Sequence, residues 1–122
     1  MTIEGREVMP HLGDIYNWTT QNIEITFDED PSSWTSTTVT FAAPDGTKIL
    51  EFLDTDSQVT WSGTTLRVWL TQQNTKLFRE PYIIMQINFL YPRSLNVNER
   101  GATRIGYFNV FQNLKPEVFN NN

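Results

Sequence analysis

Residues 59–91 read VTWSGTTLRVWLTQQNTKLFREPYIIMQINFLY, and this stretch determines the fold class that the sequence predicts. Its segment Thr64–Leu70 alternates, with three apolar side chains on one side of an extended chain and Arg67 and Trp69 on the other. The run Tyr82–Tyr91 is long and largely apolar, which is typical of a central strand. The stretch therefore predicts two strands of a β-sheet protein, with Arg67 and Trp69 on an outward face.

A short helix is expected between these two strands. Thr71 can act as its N-cap by accepting a backbone N–H, and the helix would cover Gln72–Phe78. Leu77 and Phe78 are expected to face inward at its end, and Pro81 ends it. The helix is interpreted as a connection between two strands, without a chemical role.

The rest of the chain repeats the same signals of short strands separated by turns. Further strands are predicted at Gln21–Phe27, Thr37–Ala42, Lys48–Leu53, Gln58–Trp61 and Ala102–Phe111. Asp45-Gly46 is typical of a hairpin turn, and Pro92–Gly101 is interpreted as a long irregular excursion. The pattern predicts an all-β fold: an Ig-like β-sandwich of about seven or eight strands with one short helix. The Cys and Trp spacing of antibody domains is absent, so the likeness concerns architecture only.

The chain of 122 residues has the length of one domain. Residues 1–20 mix charges with proline and glycine without a sustained period, and are expected to form an N-terminal arm. The sandwich is expected over 21–112 and a C-terminal tail over 113–122. Both ends are either frayed or ordered against a neighbouring subunit.

Composition argues against several classes of partner. A net charge of −5 and a pI near 4.7 disfavour a nucleic-acid-binding domain, since such domains concentrate Lys and Arg on one face. The chain has no cysteine, which removes disulfides and thiolate sites. No apolar run is long enough for a membrane helix, and the first residues lack a signal-peptide core, so we expect synthesis in the cytoplasm and no membrane partner.

Catalytic and metal chemistry have little support in the sequence. His11 is the only histidine, and no G-x-S-x-G context accompanies it, so no catalytic residue is expected. Two acidic clusters, Asp28–Asp30 and Asp54 with Asp56, could supply oxygens to calcium or be solvated turns. Neither cluster has EF-hand spacing, so no cofactor or metal is expected.

The tryptophans are the candidate contact residues. Trp61 is in phase with Val59 and is interpreted as core. Trp18, Trp34 and Trp69 could stack on sugars or pack against another protein, and tryptophan is enriched in interface hot spots. The candidate protein-interface residues are Arg67, Trp69, Trp18 and Trp34.

Two blocks of residues carry a resemblance to a known family. The first block comprises Leu70, Thr71, Gln72, Thr75, Leu77 and Phe78, and the second Met85, Gln86 and Ile87. With the Ala102–Ile105 segment and the Asn113-Leu114 ending, they resemble a family of small phage and prophage proteins whose members carry an LTQEET-type motif. That family in turn resembles the N-terminal Ig-like modules of siphophage baseplate proteins. The chain departs from the family pattern in two places. Gln73 and Asn74 stand where the family prefers acidic residues, and the Pro92–Gly101 loop is enlarged.

The resemblance implies a non-enzymatic virion structural protein. Such a protein would anchor or decorate a tail, baseplate or capsid by binding other virion proteins, in a homo-oligomer or in multiple copies. The alternative is a carbohydrate-binding module that recognises host surface glycans, and a third option is an inhibitor or chaperone used during assembly. Head or tail location, copy number and the neighbouring proteins are left open.

Overall fold

The structure is a computed structural model that describes residues 2–3, 6–7, 9–27, 34–94, 97–103 and 105–117, with the backbone alone for residues 2–3, 6–7, 92–94 and 97–98. Within these ranges the chain forms strands and one helical turn. They are β1 (Thr2–Ile3), β2 (Arg6–Glu7), β3 (His11–Tyr16), β4 (Gln21–Thr26), β5 (Thr35–Ala42), β6 (Lys48–Leu53), β7 (Val59–Ser62), β8 (Thr65–Leu70), α1 (Gln72–Thr75), β9 (Tyr82–Ser94), β10 (Val97–Ala102) and β11 (Gly106–Phe111).

Two packed sheets form a β-sandwich, which confirms the predicted all-β class. The large sheet has the order β3-β11-β9-β5-β6, with β10 also paired to β9, and the small sheet has the order β4-β8-β7. Alternate side chains of both sheets meet in one core, as the period of two requires. The most deeply buried large side chains are Phe41, Phe78, Ile15, Leu66, Leu70, Ile83 and Ile87. Among the described residues, strands β1 and β2 pair only with each other.

Strand β9 is the spine of the large sheet. It pairs with β5 on one side, and on the other side with β11 along its first half and β10 along its second half. The predicted single strand Ala102–Phe111 is therefore interrupted. At the interruption, Thr103 supplies its hydroxyl to the Ile87 N–H at 3.1 Å and its carbonyl to the Gln86 amide at 2.9 Å. The side chain of Thr103 thus replaces a backbone acceptor that the ladder has lost.

Much of the expected irregular excursion at Pro92–Gly101 is a β-hairpin arm, so that prediction is wrong. Strand β9 continues to Ser94, and β10 runs back from Val97 in antiparallel register. Polar composition therefore does not indicate irregular backbone in this segment, because strand pairing is made by backbone hydrogen bonds and needs no apolar run. Residues 95 and 96 lie outside the described residues.

The structure places β3 in the sandwich, within the 20 residues that the sequence assigns to an arm. Strand β3 pairs in parallel with β11, and Ile15 is buried in the core. The register skips Leu12, since Tyr107 pairs with His11 and Phe108 with Gly13. A bulge of this kind shifts the phase of the side chains, so the period of two that reveals a strand is lost from the sequence.

The connection after β8 has the cap that the sequence predicts. Thr71 Oγ1 accepts the Asn74 N–H at 3.3 Å, and Asn74 Oδ1 accepts the Thr71 N–H at 2.9 Å, so an amide completes the capping box without a carboxylate. Phe78 is fully buried as expected, but Leu77 is 42% exposed and the inward prediction for it is wrong. None of the helical structure in the described ranges is long and apolar enough to cross a membrane.

The Asp45-Gly46 turn joins β5 to β6 as expected. Gly46 has a φ of 93°, a left-handed value that favours glycine, and Asp45 Oδ1 accepts the Thr47 N–H at 2.9 Å. The hydrogen bond from the Thr47 backbone lowers the pKa of the Asp45 carboxyl below its usual 3.8, because it stabilises the ionised form.

Candidate interaction surfaces

Arg67 and Trp69 lie on the outer face of the small sheet. Both project from β8 away from the core, and Trp69 is 44% exposed. Across the strand pair, Trp69 faces Asn22 and Arg67 faces Glu24, with Arg67 Nε 3.5 Å from Glu24 Oε1. An exposed ion pair of this kind contributes little stability, so its charges remain available to a partner. The structure brings these two candidate residues together on one solvent-facing surface.

Trp34 lies in an aromatic cluster at the end of β4. Its ring stacks on Phe89 with centroids 3.7 Å apart and planes 8° apart, and it meets Phe27 and Trp61 edge-on at 5.1 and 6.3 Å. Phe89 therefore covers one face of the Trp34 ring, the surface that a sugar ring would need for stacking. Trp61 is 36% exposed at the rim of this cluster, so its interpretation as core is wrong although its phase with Val59 is correct.

Gly101 makes room for this cluster. It pairs with Phe89 across the β9–β10 hairpin, and a Cβ at Gly101 would lie 2.6 Å from the Phe89 ring and 3.3 Å from the Tyr91 ring. Phe89 thus lies over the glycine, an arrangement that covers the exposed backbone of a strand glycine. A side chain at this position would push the Phe89 ring away from Trp34.

We predict that Gly101→Val weakens the folded state by about 1–3 kcal/mol, since overpacking forces side chains out of their rotamers. The Trp34–Phe89 stack should be lost, which would change the near-ultraviolet circular dichroism of the tryptophans. Gly63→Ala is the matched control: a Cβ there meets no atom within 4 Å, although its φ of 61° adds local strain. Retention of the wild-type aromatic spectrum in Gly101→Val would contradict the packing role.

Trp18 stands apart from the other candidates. It has a φ of 63°, unusual for a large side chain, in the turn between β3 and β4, and Lys76 Nζ lies 5.9 Å from its ring centroid. Trp18 precedes the start of β4, whereas Trp34 packs beside Phe27 just after the end of that strand. Trp18 and Trp34 therefore do not form one site.

Sequence reasoning missed an aromatic surface on the outer side of the large sheet. We call it the aromatic face, and it comprises Tyr16, Tyr82, Tyr107 and Phe111. Tyr16 packs on Phe111 at 5.3 Å and Tyr82 on Tyr107 at 6.0 Å, while Tyr16 and Phe111 remain 55% and 43% exposed. Alternation in the last strand indicates Tyr107 and Phe111, but only the pairing of β3 with β11 adds Tyr16.

The single histidine contributes to a polar cluster beside this face. His11 Nε2 lies 3.0 Å from Asp14 Oδ1, and the Asn109 amide donates to the same carboxylate oxygen at 3.2 Å. The Tyr107 ring lies 5.1 Å from the imidazole. These contacts fix the orientation of the ring.

The acidic clusters give no assembled metal site in the part of the chain that the structure describes. There, no three His, Cys, Asp or Glu side chains are grouped around a common position. Asp54 Oδ2 accepts the Thr37 N–H at 3.3 Å, and Asp56 Oδ2 accepts the Leu53 N–H at 2.8 Å, as turn-capping carboxylates do. Asp28–Asp30 lie outside the described residues.

The candidate surfaces are thus the outer faces of the two sheets and the aromatic cluster around Trp34 at the end of β4. Comparison with known proteins adds no assignment to them: neither a protein-family model nor a curated protein matches this chain.

Proposed function

We propose that this protein is a non-enzymatic structural component of a bacteriophage virion, a β-sandwich module that binds other virion proteins in a tail, baseplate or capsid. It would be present in multiple copies or as a homo-oligomer, after synthesis in the host cytoplasm. The phage assignment rests on the sequence resemblance of residues 70–78 and 85–87. The mode of action, through protein surfaces, rests on the geometry of the sandwich.

The observation that carries the proposed binding role is that both sheets present exposed aromatic side chains on their outer faces. Trp69 does so on the small sheet, and Tyr16 and Phe111 do so on the large sheet. Aromatic residues and arginine are enriched where protein interfaces are buried, because large rigid side chains remove much area from water at low entropic cost. A module with such a surface on each side can contact two neighbours at once, as a component of an assembly must.

The strand order supports the Ig-like part of the proposal. In immunoglobulin-type sandwiches one sheet contains the order B-E-D and the other the order G-F-C, with an added C′ strand in the variable type. Here β4-β8-β7 follows the first order, and β11-β9-β5-β6 follows the second with its added strand. The shared architecture alone does not specify a function.

Quantitative mass spectrometry of purified virions tests the proposal. The protein is expected in the particles at a fixed ratio to the other structural proteins. Its presence in infected cells but absence from purified particles would favour the assembly-factor option and overturn the structural role.

We predict that Trp69→Ala lowers incorporation into particles, or affinity for the partner protein, by about tenfold or more, as loss of a tryptophan hot spot does. Because Trp69 is already 44% exposed, the free energy of unfolding of the isolated variant should differ little from that of the wild type. Trp69→Phe, which keeps an aromatic ring, is the matched control and should retain most of the binding. Unchanged incorporation of Trp69→Ala would exclude this face as a contact.

Carbohydrate binding is the second candidate, and the exposed ring of Trp69 is the observation that favours it. Sugar stacking needs an accessible aromatic face. Trp69 is 44% exposed, whereas Phe89 covers one face of the Trp34 ring. A glycan array with the purified chain separates the two functions. Specific glycan binding that Trp69→Ala abolishes would support the carbohydrate-binding function.

A further inference from the structure

The small sheet has an open edge along β4. Strand β4 pairs only with β8 in the described structure, and the Phe27 N–H donates to the Thr64 carbonyl at 3.0 Å. Because hydrogen-bonded pairs alternate along an antiparallel ladder, the N–H and C=O groups of Asn22, Glu24 and Thr26 point away from β8. Such a row of peptide groups is a template for one more strand.

Three other edges of the sandwich, β3, β6 and β7, carry features that discourage pairing. Strand β3 has a bulge at Leu12, β7 is only four residues long, and β6 carries Lys48 beside a register shift. Natural edges are protected by such bulges, short lengths and lysines. Strand β4 is six residues long, regular in register and free of proline and lysine, so it is less protected than these three edges.

An apolar groove runs beside this edge. It has a volume of about 370 Å³ between β3 and β4, and its apolar lining comes from Leu12, Ile15, Ile23, Ile25 and Phe108. A strand added to β4 would place alternate side chains in this groove. The outer face of β4 also carries Glu24, so a cation on the outward side of the added strand would be favoured.

The C-terminal tail has the sequence that this groove requires. In Leu114-Lys115-Pro116-Glu117-Val118, apolar residues alternate with charged ones, and Lys115 is the cation. Leu114 is 101% exposed, so a large apolar side chain has no contact that removes it from water. The exposed Lys115–Glu117 ion pair, 3.1 Å long, is of a kind that costs little to break.

The tail of a second copy fits this edge better than the chain's own tail. The Asn113 N–H donates to Asn17 Oδ1 at 2.7 Å, which anchors the start of the tail close to the beginning of β4. A tail that leaves this point along β4 of its own copy runs parallel to that strand. The tail of another copy can run antiparallel, which is the slightly more stable pairing.

We infer that the tail of one copy, from Leu114 onward, adds as a strand to the β4 edge of a second copy, with Leu114 in the groove between β3 and β4. A reciprocal exchange gives a closed dimer, and a one-way exchange joins copies in a row. The inference deepens the proposed function, on which it rests, by naming one partner and the segment that binds it.

Sedimentation velocity of the full-length chain over a range of concentrations tests the exchange. Association is expected, and Leu114→Asp should raise the dissociation constant about tenfold or more, because full burial of a leucine is worth at least that factor. Leu77→Asp, at another exposed leucine, is the control and should associate normally. Unchanged association of Leu114→Asp would overturn the inference, as would a chain that stays monomeric throughout.

Amide hydrogen exchange identifies the edge and the source of the tail. The Asn22, Glu24 and Thr26 amides should exchange more slowly as the protein concentration rises, and Asn22→Pro should weaken association while Asn22→Ala does not. Slow amide exchange that does not depend on concentration would mean that each tail covers its own edge, which overturns the proposed swap of tails between copies.

The virion proposal is tested separately, since absence from particles would overturn it and leave the association of the purified chain intact.

Discussion

Replacing Asn17 with alanine is expected to lower the free energy of unfolding by about 2–4 kcal/mol, although the residue lies in a segment that the sequence assigns to an arm. Asn17 is only 2% exposed. Its amide donates to the Phe78 carbonyl at 3.2 Å and to Gln112 Oε1 at 2.9 Å, and its Oδ1 accepts the Asn113 N–H. Alanine would leave backbone groups from two separate segments without partners, and each unsatisfied buried group costs about 1–3 kcal/mol.

Urea unfolding monitored by tryptophan fluorescence measures the effect of Asn17→Ala. Asn22→Ala is the matched control, because Asn22 is exposed on β4 and exposed substitutions usually change stability by less than about 0.5 kcal/mol. Asn17→Asp should also be destabilised, since it keeps an acceptor for Asn113 but loses the amide donor to Phe78. If Asn17→Ala unfolded at the wild-type midpoint, the anchoring role of Asn17 would be wrong.

Thr75→Val is expected to lower the free energy of unfolding by about 2–4 kcal/mol, because two hydrogen bonds in the core depend on one hydroxyl. Thr75 is fully buried. Its hydroxyl accepts the Thr19 N–H at 3.0 Å and donates to the Thr19 carbonyl at 2.6 Å. Valine has nearly the same shape but no hydroxyl, so both backbone groups of Thr19 would lose their partner. The turn that leads into β4 would detach from α1.

Thr75→Ser is the control for this substitution. Serine keeps the hydroxyl and loses one methyl group, so its cost should be about 1 kcal/mol. Thermal and urea unfolding of both variants decide between the two roles of Thr75. If Thr75→Ser lowered the free energy of unfolding more than Thr75→Val does, the methyl contact would matter more than the hydrogen bonds.

These two residues explain why the candidate surfaces hold a defined geometry. Asn17 and Thr75 fix the turn before β4 to α1 and to the start of the C-terminal tail. That turn holds Trp18 and aligns the edge at which we place the incoming tail. Loss of either anchor should therefore weaken association of copies as well as folding, whereas Leu114→Asp should weaken association alone.

Local patterns in the sequence were sufficient for the regular parts of the fold. Lys48–Leu53 is a strand with the bounds that alternation predicts, and the Thr71 cap and the Asp45-Gly46 turn have the predicted chemistry. Such features depend on contacts between residues close in the chain, which a period of two or a capping residue reveals directly. The outward position of Arg67 and Trp69 follows from the same alternation.

Pairing between distant segments could not be obtained from the sequence. The bulge at Leu12 hides β3, and the same parallel pairing with β11 brings Tyr16 to the aromatic face. The sequence makes Trp34 a candidate for sugar stacking, but Phe89 covers one side of its ring, and the absence of a side chain at Gly101 permits that stack. Each of these contacts joins residues far apart in the chain, and no local period encodes which distant strand will be the neighbour.

The sequence by itself determined the sandwich class, the helix cap, the hairpin turn and the outward face of β8, because these result from propensity and periodicity within short segments. Only the tertiary structure decided that residues 11–17 belong to the sandwich, that the aromatic face exists, and that β4 has β8 as its only strand partner within the described residues and lies beside an apolar groove. The physical reason is that burial and strand pairing depend on which segments meet, and that is set by the packing of the whole chain.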